Sequence, residues 1–427
     1  MFMRVTFFSY SFGCRVNEAE KIALDEKLFE LGFIWNEKNP DFYIINSCSV
    51  TGKAEREVRQ HIYQIRKKFP KATIIVTGCA ATHWLRNNVS VSGVNHLIEN
   101  KNKTEIPFII QSFSPLSEYH IISHMRNNVV KKSMTEYPDQ KSTVLDKSVL
   151  KHQFVKSDKF LNSGRLMVKI QDGCDRFCSY CIVPYLRGKP KSLKIKDIVQ
   201  TINNYHLSSR APKGRGDLYY KDCFVPQSGT RNDNGLSEVI LTSINTACFG
   251  KDTGETLIQL IDAILKKTTI PKISFGSIHP WSITDEFLRY YQSIMPTNRF
   301  VPFFHIPIQS GSNTILKLMN RGYTKEEILK KLHRIKEINP KTFIGTDIIV
   351  GFPGETKKEF QETYEFLKSA PINKIHVFRF SLRPGTAAEK LIEVYGEPTP
   401  KEKRERSKLI LELNKTISKR FSASLSK

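Results

Sequence analysis

The stretch QDGCDRFCSYCIVPYLRG, residues 171–188, places Cys174, Cys178 and Cys181 on one short segment with the spacing C-x3-C-x2-C. It directly follows the apolar run Leu166-Met167-Val168-Lys169-Ile170, which reads as a strand. Three thiolates on one loop can hold three irons of a 4Fe–4S cluster and leave the fourth iron open. The competing reading is a zinc knuckle short of one ligand, but zinc favours C-x2-C pairs and a set of four. Placement also speaks for the cluster, because ligands gather at the C-terminal ends of barrel strands.

Downstream of this loop the strand rhythm continues. Strands are expected at Val239–Thr242, Ile273–Phe275, Phe303–Ile306, Phe343–Thr346 and Ile375–Phe378, with helical stretches between them such as 325–338. About six β/α units predict a barrel or partial barrel. Residues 207–236 break the rhythm with Gly, Pro, Arg and Asn and read as an inserted loop. Upstream, residues 4–11, 42–45 and 73–77 read as strands, and 17–32 and the segment from Thr51 onward as helices. That alternation predicts a parallel sheet of Rossmann or flavodoxin type, so the whole chain is read as α/β. The expected divisions are 1–125 for the first domain, 126–160 for a linker, 161–398 for the barrel and 399–427 for a basic C-terminal helix.

Three cysteines of the first domain stand alone in sequence. Cys14 follows Val5–Phe8, Cys48 follows Phe42–Ile45, and Cys79 follows Thr73–Thr77. The C-terminal ends of parallel strands share one edge, where the ligand crevice lies. Gly13 and Gly78 allow the tight turns needed just before two of them. The three are therefore expected to meet as a second metal site, the alternative being three buried structural thiols. Cys223 and Cys248 have no partner at useful spacing and read as ordinary free thiols.

The 427 residues carry 66 Lys and Arg against 42 Asp and Glu, a net charge of +24 that points to a polyanionic partner such as nucleic acid. No apolar run reaches the eighteen or so residues of a membrane span. The N-terminus MFMRVTFFSY lacks a basic region and a cleavage site, so a cytoplasmic protein without membrane attachment is expected.

The C-x3-C-x2-C loop after a first barrel strand resembles the radical S-adenosylmethionine (SAM) superfamily. Ile182-Val183-Pro184 with Arg187-Gly188, HIPIQSGSNTILKLMNRGYT (305–324), GTDIIVGFPGET (345–356) and HVFRFSLRPGTAAEKL (376–391) resemble its methylthiotransferase family. That resemblance implies two 4Fe–4S clusters. One, on Cys174, Cys178 and Cys181, binds SAM at its open iron and yields a 5′-deoxyadenosyl radical; the other, on Cys14, Cys48 and Cys79, carries the sulfur to be inserted. It also implies that the stretch 238–250, with Ser243 and Asn245, helps hold SAM; Tyr180 beside Cys181, Ser277 in the loop GSIHPWSI, and Gln309 and Asp347 at strand ends are further candidate SAM contacts. Ser243 stands where relatives usually carry Gly, and His279 where they carry an acidic residue.

GCRVN around Cys14 resembles the branch acting on N6-threonylcarbamoyladenosine in tRNA. The isopentenyladenosine branch more often carries Gln-Met-Asn after this cysteine, and the ribosomal-protein branch Pro-Lys-Asn. The implied partners are the anticodon stem-loop of tRNA, an electron donor such as flavodoxin or ferredoxin, and a sulfur source. Relatives end in a small RNA-binding β-barrel, whereas six residues follow Phe421 here, so either the barrel is absent or the sequence is incomplete. RNA is then expected on the helix 51–68, on the insertion with Arg210, Lys213 and Arg215, and on the helix 401–420, each of which reads equally well as a solvated charged face. A non-catalytic iron–sulfur RNA-binding protein is the alternative from another class.

Overall fold

The computed structural model describes residues 5–112, 163–208 and 236–425. The expected linker 126–160, Cys223, Arg210, Lys213 and Arg215 lie outside the described residues.

The first half runs β1 (Thr6–Ser11), α1 (Arg15–Glu30), β2 (Ile34–Trp35), β3 (Phe42–Ser47), α2 (Gly52–Lys68), β4 (Thr73–Gly78), α3 (Cys79–Arg86), β5 (His96–Leu97) and α4 (Ile106–Ser112). The strands pair parallel in the order β2-β1-β3-β4-β5, which is the flavodoxin-like winding. FYIINS is buried at all six positions, as a central parallel strand covered on both faces requires. One face carries Phe7, Ile44 and Ile75 towards α1. The other carries Tyr43, Ile45, Ile74 and Val76, packed on Val58 and Ile62 of α2 and Trp84 of α3.

The second half runs β6 (Arg165–Asp172), α5 (Val183–Arg187), β7 (Lys191–Ser192), α6 (Ile195–Ser208), β8 (Glu238–Ser243), α7 (Leu257–Lys267), β9 (Lys272–Phe275), α8 (Asp285–Ile294), β10 (Phe303–His305), α9 (Asn313–Leu318), α10 (Lys325–Ile338), β11 (Phe343–Val350), α11 (Lys357–Ser369), β12 (Lys374–Arg379), α12 (Ala388–Tyr395) and α13 (Pro400–Leu425). β6, β8 and β9 pair parallel, as do β10, β11 and β12. A parallel bridge from Ile273 to Phe300 joins the two sets, giving an open barrel of six parallel strands. Reciprocal capping boxes, Thr256 with Gln259, Thr324 with Glu327 and Thr356 with Glu359, start α7, α10 and α11.

Three expectations need correction. α1 begins at Arg15 rather than 17, which makes Cys14 its N-cap residue. Of the interruption expected over 207–236, residues 207 and 208 still belong to α6 and Leu236 is already in the core, while 209–235 lie outside the described residues. The C-terminal helix is not simply a charged surface: α13 buries Ile410, Leu413 and Ile417. Its Asn414 Oδ1 accepts the Ile375 N–H of β12 at 2.8 Å, so the helix covers an edge strand. The two halves also share a core. Phe7, Ile22 and Leu28 belong to the same buried cluster as Met167, Ile240 and Phe275.

Candidate active site: two cysteine triads

Cys14 caps α1, Cys48 follows β3, and Cys79 is the first residue of α3. The structure brings them together at the carboxyl edge of the sheet. Burial pushes the Cys48 thiol up to about 12, with the charges of Cys14 and Cys79 adding to it. Cys14 is raised too, by desolvation first, with Arg187 pulling it back. Its surface nonetheless opens onto a cavity of about 550 Å3, whose walls include Tyr10, Phe12, His61 and, from the barrel, Met167. Gly13 and Gly78 have φ of +85° and +94°. A Cβ at Gly13 would run into the Cys48 side chain, so the turn can pass this close to the site only with glycine.

The second triad sits on the loop after β6. Cys174 N–H donates to Gly188 O at 3.1 Å and Cys181 N–H to Cys178 O at 2.8 Å, folding the loop back on itself. Ser179 ties it to the end of α9 through its N–H to Met319 O at 3.1 Å and its hydroxyl to Leu318 O at 2.7 Å. Burial pushes Cys181 up to about 12. Arg321, four per cent exposed, donates to Cys178 Sγ at 3.3 Å, Tyr180 Oη at 3.2 Å and Pro307 O at 2.8 Å. Its guanidinium also stacks over Trp281, 4.5 Å from the ring centroid.

Cys248 is a free thiol, as expected, but it lies beside the second triad. It is fully buried, and its one S–H lies between two acceptors, Asp175 Oδ1 at 3.1 Å and the Cys174 sulfur, which is within 4.8 Å. The Cys248 hydrogen bond, with the Arg176 N–H and the Asn245 amide, brings Cys174 down to about 6 in spite of desolvation. Asn245 Nδ2 lies 3.5 Å from Cys174 Sγ.

The donor set fits iron–sulfur ligation. Side-chain N–H groups of Arg187, Arg321 and Asn245 point at cysteine sulfurs in both triads, the kind of donor that tunes cluster thiolates. Among the described residues, neither triad has all three sulfurs within 4.8 Å of one another. Zn–S bonds of about 2.3 Å would need them roughly 3.8 Å apart, whereas a cubane, whose thiolates attach to separate irons, spreads them wider.

The expected SAM-binding residues fall into different settings. Ser243 ends β8 with its hydroxyl buried and unpartnered. Gln309 is held at φ +78° by backbone hydrogen bonds with Asp347 O and Ile349 N, a strained conformation of the kind found at ligand sites. Tyr180 packs its ring against Phe352. Ser277 is half-buried in the loop after β9. Asp347 is engaged by two histidines: its Oδ1 lies 3.0 Å from His305 Nε2 and 3.5 Å from His376 Nδ1. Burial alone would raise its carboxyl, but these histidines hold it well below the usual range. His279 is a pin between loops, its Nδ1 accepting the Thr246 N–H at 3.3 Å. Burial, with Arg321 and His305 nearby, takes it down to about 3 and keeps it neutral.

Arg187, Arg321, Cys248 and the His305–His376 pair are site features that sequence reading did not single out for a role. Both arginines lie inside quoted motifs, Arg187 in YLRG and Arg321 in MNRGYT, and that was the available signal.

Residues 6–96 match the family described as "Uncharacterized protein family UPF0004", and residues 230–367 the "Radical SAM superfamily". Threonylcarbamoyladenosine tRNA methylthiotransferase MtaB of Aquifex aeolicus is 32% identical over 98% of this chain and 90% of its own length. MtaB of Bacillus subtilis is 29% identical over 97% and 81%. The tRNA-2-methylthio-N(6)-dimethylallyladenosine synthase of Thermosipho africanus is 30% identical over 98% and 85%. Among solved structures, the radical SAM methyltransferase TsrM of Kitasatospora setae superposes with a TM-score of 0.53 at 12% identity, covering 91% of this chain and 74% of its own, which speaks for the fold. No helix among the described residues is long and apolar enough to cross a membrane. With full-length relatives at this level of identity, the chain belongs to the radical SAM methylthiotransferase family.

Proposed function

We propose that this chain adds a methylthio group to C2 of N6-threonylcarbamoyladenosine beside the anticodon of tRNA, in the cytoplasm, using SAM and two 4Fe–4S clusters. The observation that carries the reading is the pair of cysteine triads at strand ends, in a chain 32% identical to a threonylcarbamoyladenosine tRNA methylthiotransferase over 90% of that protein's length. Cys174, Cys178 and Cys181 would hold the radical cluster on the 161–398 unit; Cys14, Cys48 and Cys79 would hold the second on the 1–125 unit. When bound, the clusters supply the electron that cleaves SAM and the sulfur to be transferred. The protein's own share is positional. Arg321 and Asn245 orient the radical-side thiolates, while the unpartnered Ser243 hydroxyl and the strained Gln309 are the candidate contacts for SAM. The anticodon stem-loop would enter by the cavity onto which Cys14 opens. A flavodoxin or ferredoxin would deliver electrons, and a separate sulfur source would recharge the second cluster.

Mass analysis of tRNA nucleosides from cells with and without the protein tests this. The methylthio derivative of threonylcarbamoyladenosine should depend on its presence. Replacing Cys14, Cys48 and Cys79 with Ala should abolish the product while leaving SAM cleavage by reduced, reconstituted protein; replacing Cys174, Cys178 and Cys181 should abolish both. The Thermosipho relative favours one other substrate, dimethylallyladenosine. Its methylthio derivative appearing instead would overturn the substrate assignment, and an N-terminal triple variant that still makes product would overturn the two-cluster reading.

A further inference from the structure

Arg187 follows the radical loop, yet its side chain leaves that loop and enters the other half of the molecule. It is completely buried. Every N–H of its guanidinium has an acceptor. Nε donates to Cys79 Sγ at 3.4 Å. Nη1 donates to Glu20 Oε1 at 2.9 Å and Asp172 Oδ1 at 2.8 Å. Nη2 donates to Asn17 Oδ1 at 2.6 Å and Glu20 Oε2 at 3.3 Å. The partners come from α1, α3 and β6, so one planar fork fixes both halves against each other.

The charges around it do not cancel among themselves. In this network the buried Arg187 and Lys103 and the partly exposed Lys169 meet only the buried Glu20 and the partly exposed Asp172. One positive charge is left over, and Cys79 is the group on which the fork's remaining N–H closes. A buried charge needs a partner, and a thiolate bound to iron is one. Hydrogen bonds to cluster sulfurs and nearby net charge set cluster potentials, and groups behind the ligands orient them.

We propose that Arg187 is a positioning residue for the N-terminal iron–sulfur site: through its Nε–H and its buried charge it holds Cys79 as a ligand and makes the cluster bound there easier to reduce. This rests on the reading of Cys14, Cys48 and Cys79 as cluster ligands.

The test uses the full chain with Cys174, Cys178 and Cys181 replaced by Ala, reconstituted anaerobically so that only the N-terminal cluster is present. Its midpoint potential is measured by spectroscopically monitored reductive titration, alongside iron content and thermal melting. In that background R187Q should lower the potential by at least tenfold in the one-electron equilibrium constant, about 59 mV, and hasten iron loss to a chelator. R187K, which keeps the charge without the fork, should recover part of the shift. R187Q/D172N removes one charge of each sign, so it leaves the excess unchanged while deleting the Nε–H. It should still fall below the parent, and it decides the question if R187Q does not fold. A loaded, folded R187Q or R187Q/D172N protein with the parent's potential would overturn the proposal, even if its melting point had dropped. A parent that binds no iron would instead overturn the two-cluster reading.

Discussion

At the scale of single residues, the cysteines show what spacing can and cannot reveal. Cys174, Cys178 and Cys181 announce themselves because a loop of eight residues carries all three. Cys14, Cys48 and Cys79 were legible only through topology: each follows a strand, and parallel strands end on one edge. Cys248 is the free, buried thiol expected, but its neighbours were hidden, because Asp175 lies 73 residues away in sequence on a loop whose path no local pattern encodes. The Arg187 contact with Cys79 spans 108 residues and is hidden for the same reason. The Cys248 contact predicts a measurable asymmetry in the metal-free protein. Cys174 is brought down to about 6 first by the Cys248 hydrogen bond, so its thiolate predominates above that pH. Alkylation of Cys174, followed by peptide mass spectrometry, should be near its plateau rate by neutral pH. In C248A the half-maximal pH should move upward towards the ordinary thiol value of about 8.5. A profile unchanged by the substitution would mean that Cys248 does not support the Cys174 thiolate.

At the scale of elements, hydrophobic period and capping carried most of the reading. α10 was expected at 325–338 and lies at Lys325–Ile338 because Thr324 and Glu327 form a capping box at its start. α1 was harder. Its buried set includes Asn17, Glu20, Lys21 and Asp25, since it lies between the first sheet and β6 and β8, and a helix covered on both sides loses the simple polar face that marks helix limits. The basic helices divide once their neighbours are known. In α2, Arg66 is spent on Gly93 O, Pro70 O and Ala72 O, and Arg59 stacks on Trp84. In α13, Arg406 is buried against Glu355. Arg56, Tyr63 and Lys67 of α2, by contrast, are exposed, with Tyr63 at 71%. Cations beside an open aromatic ring suit single-stranded RNA. R56A/K67A should weaken binding of an anticodon stem-loop and flatten the slope of log affinity against log salt by roughly one for each phosphate the variant no longer neutralises. Equal slopes for variant and parent would remove α2 from the RNA surface.

At the scale of the whole molecule, the alternation of strands and helices in both halves was readable, and so was the class of each half. Their junction was not, because polar residues build it together with the shared apolar core. Glu20 of α1 sits at its centre, contacted by Lys103, Lys169 and Arg187. Nothing in a helix pattern marks a glutamate as buried, since unpaired it would be among the last residues to enter a core. Burial alone would raise its carboxyl, but the three cations hold it well below the ordinary range. A depressed carboxyl stabilises the folded state fully above its unfolded value of about 4.3 and loses that contribution as the pH falls through the folded value. Replacing Glu20 with Gln leaves the buried Arg187 and Lys103 and the partly exposed Lys169 facing one carboxylate, so at neutral pH it should cost about 3–5 kcal/mol, the range for breaking a buried pair. The two halves share a core, so the loss should appear in one cooperative transition of the metal-free chain rather than in the first half alone. The melting-temperature gap between parent and E20Q should be full at pH 7 and still full at pH 5.5, then narrow below about pH 4.3. A gap that stayed constant into that acid range would show that Glu20 packs without its charge, and the junction would then have to be credited to the apolar core.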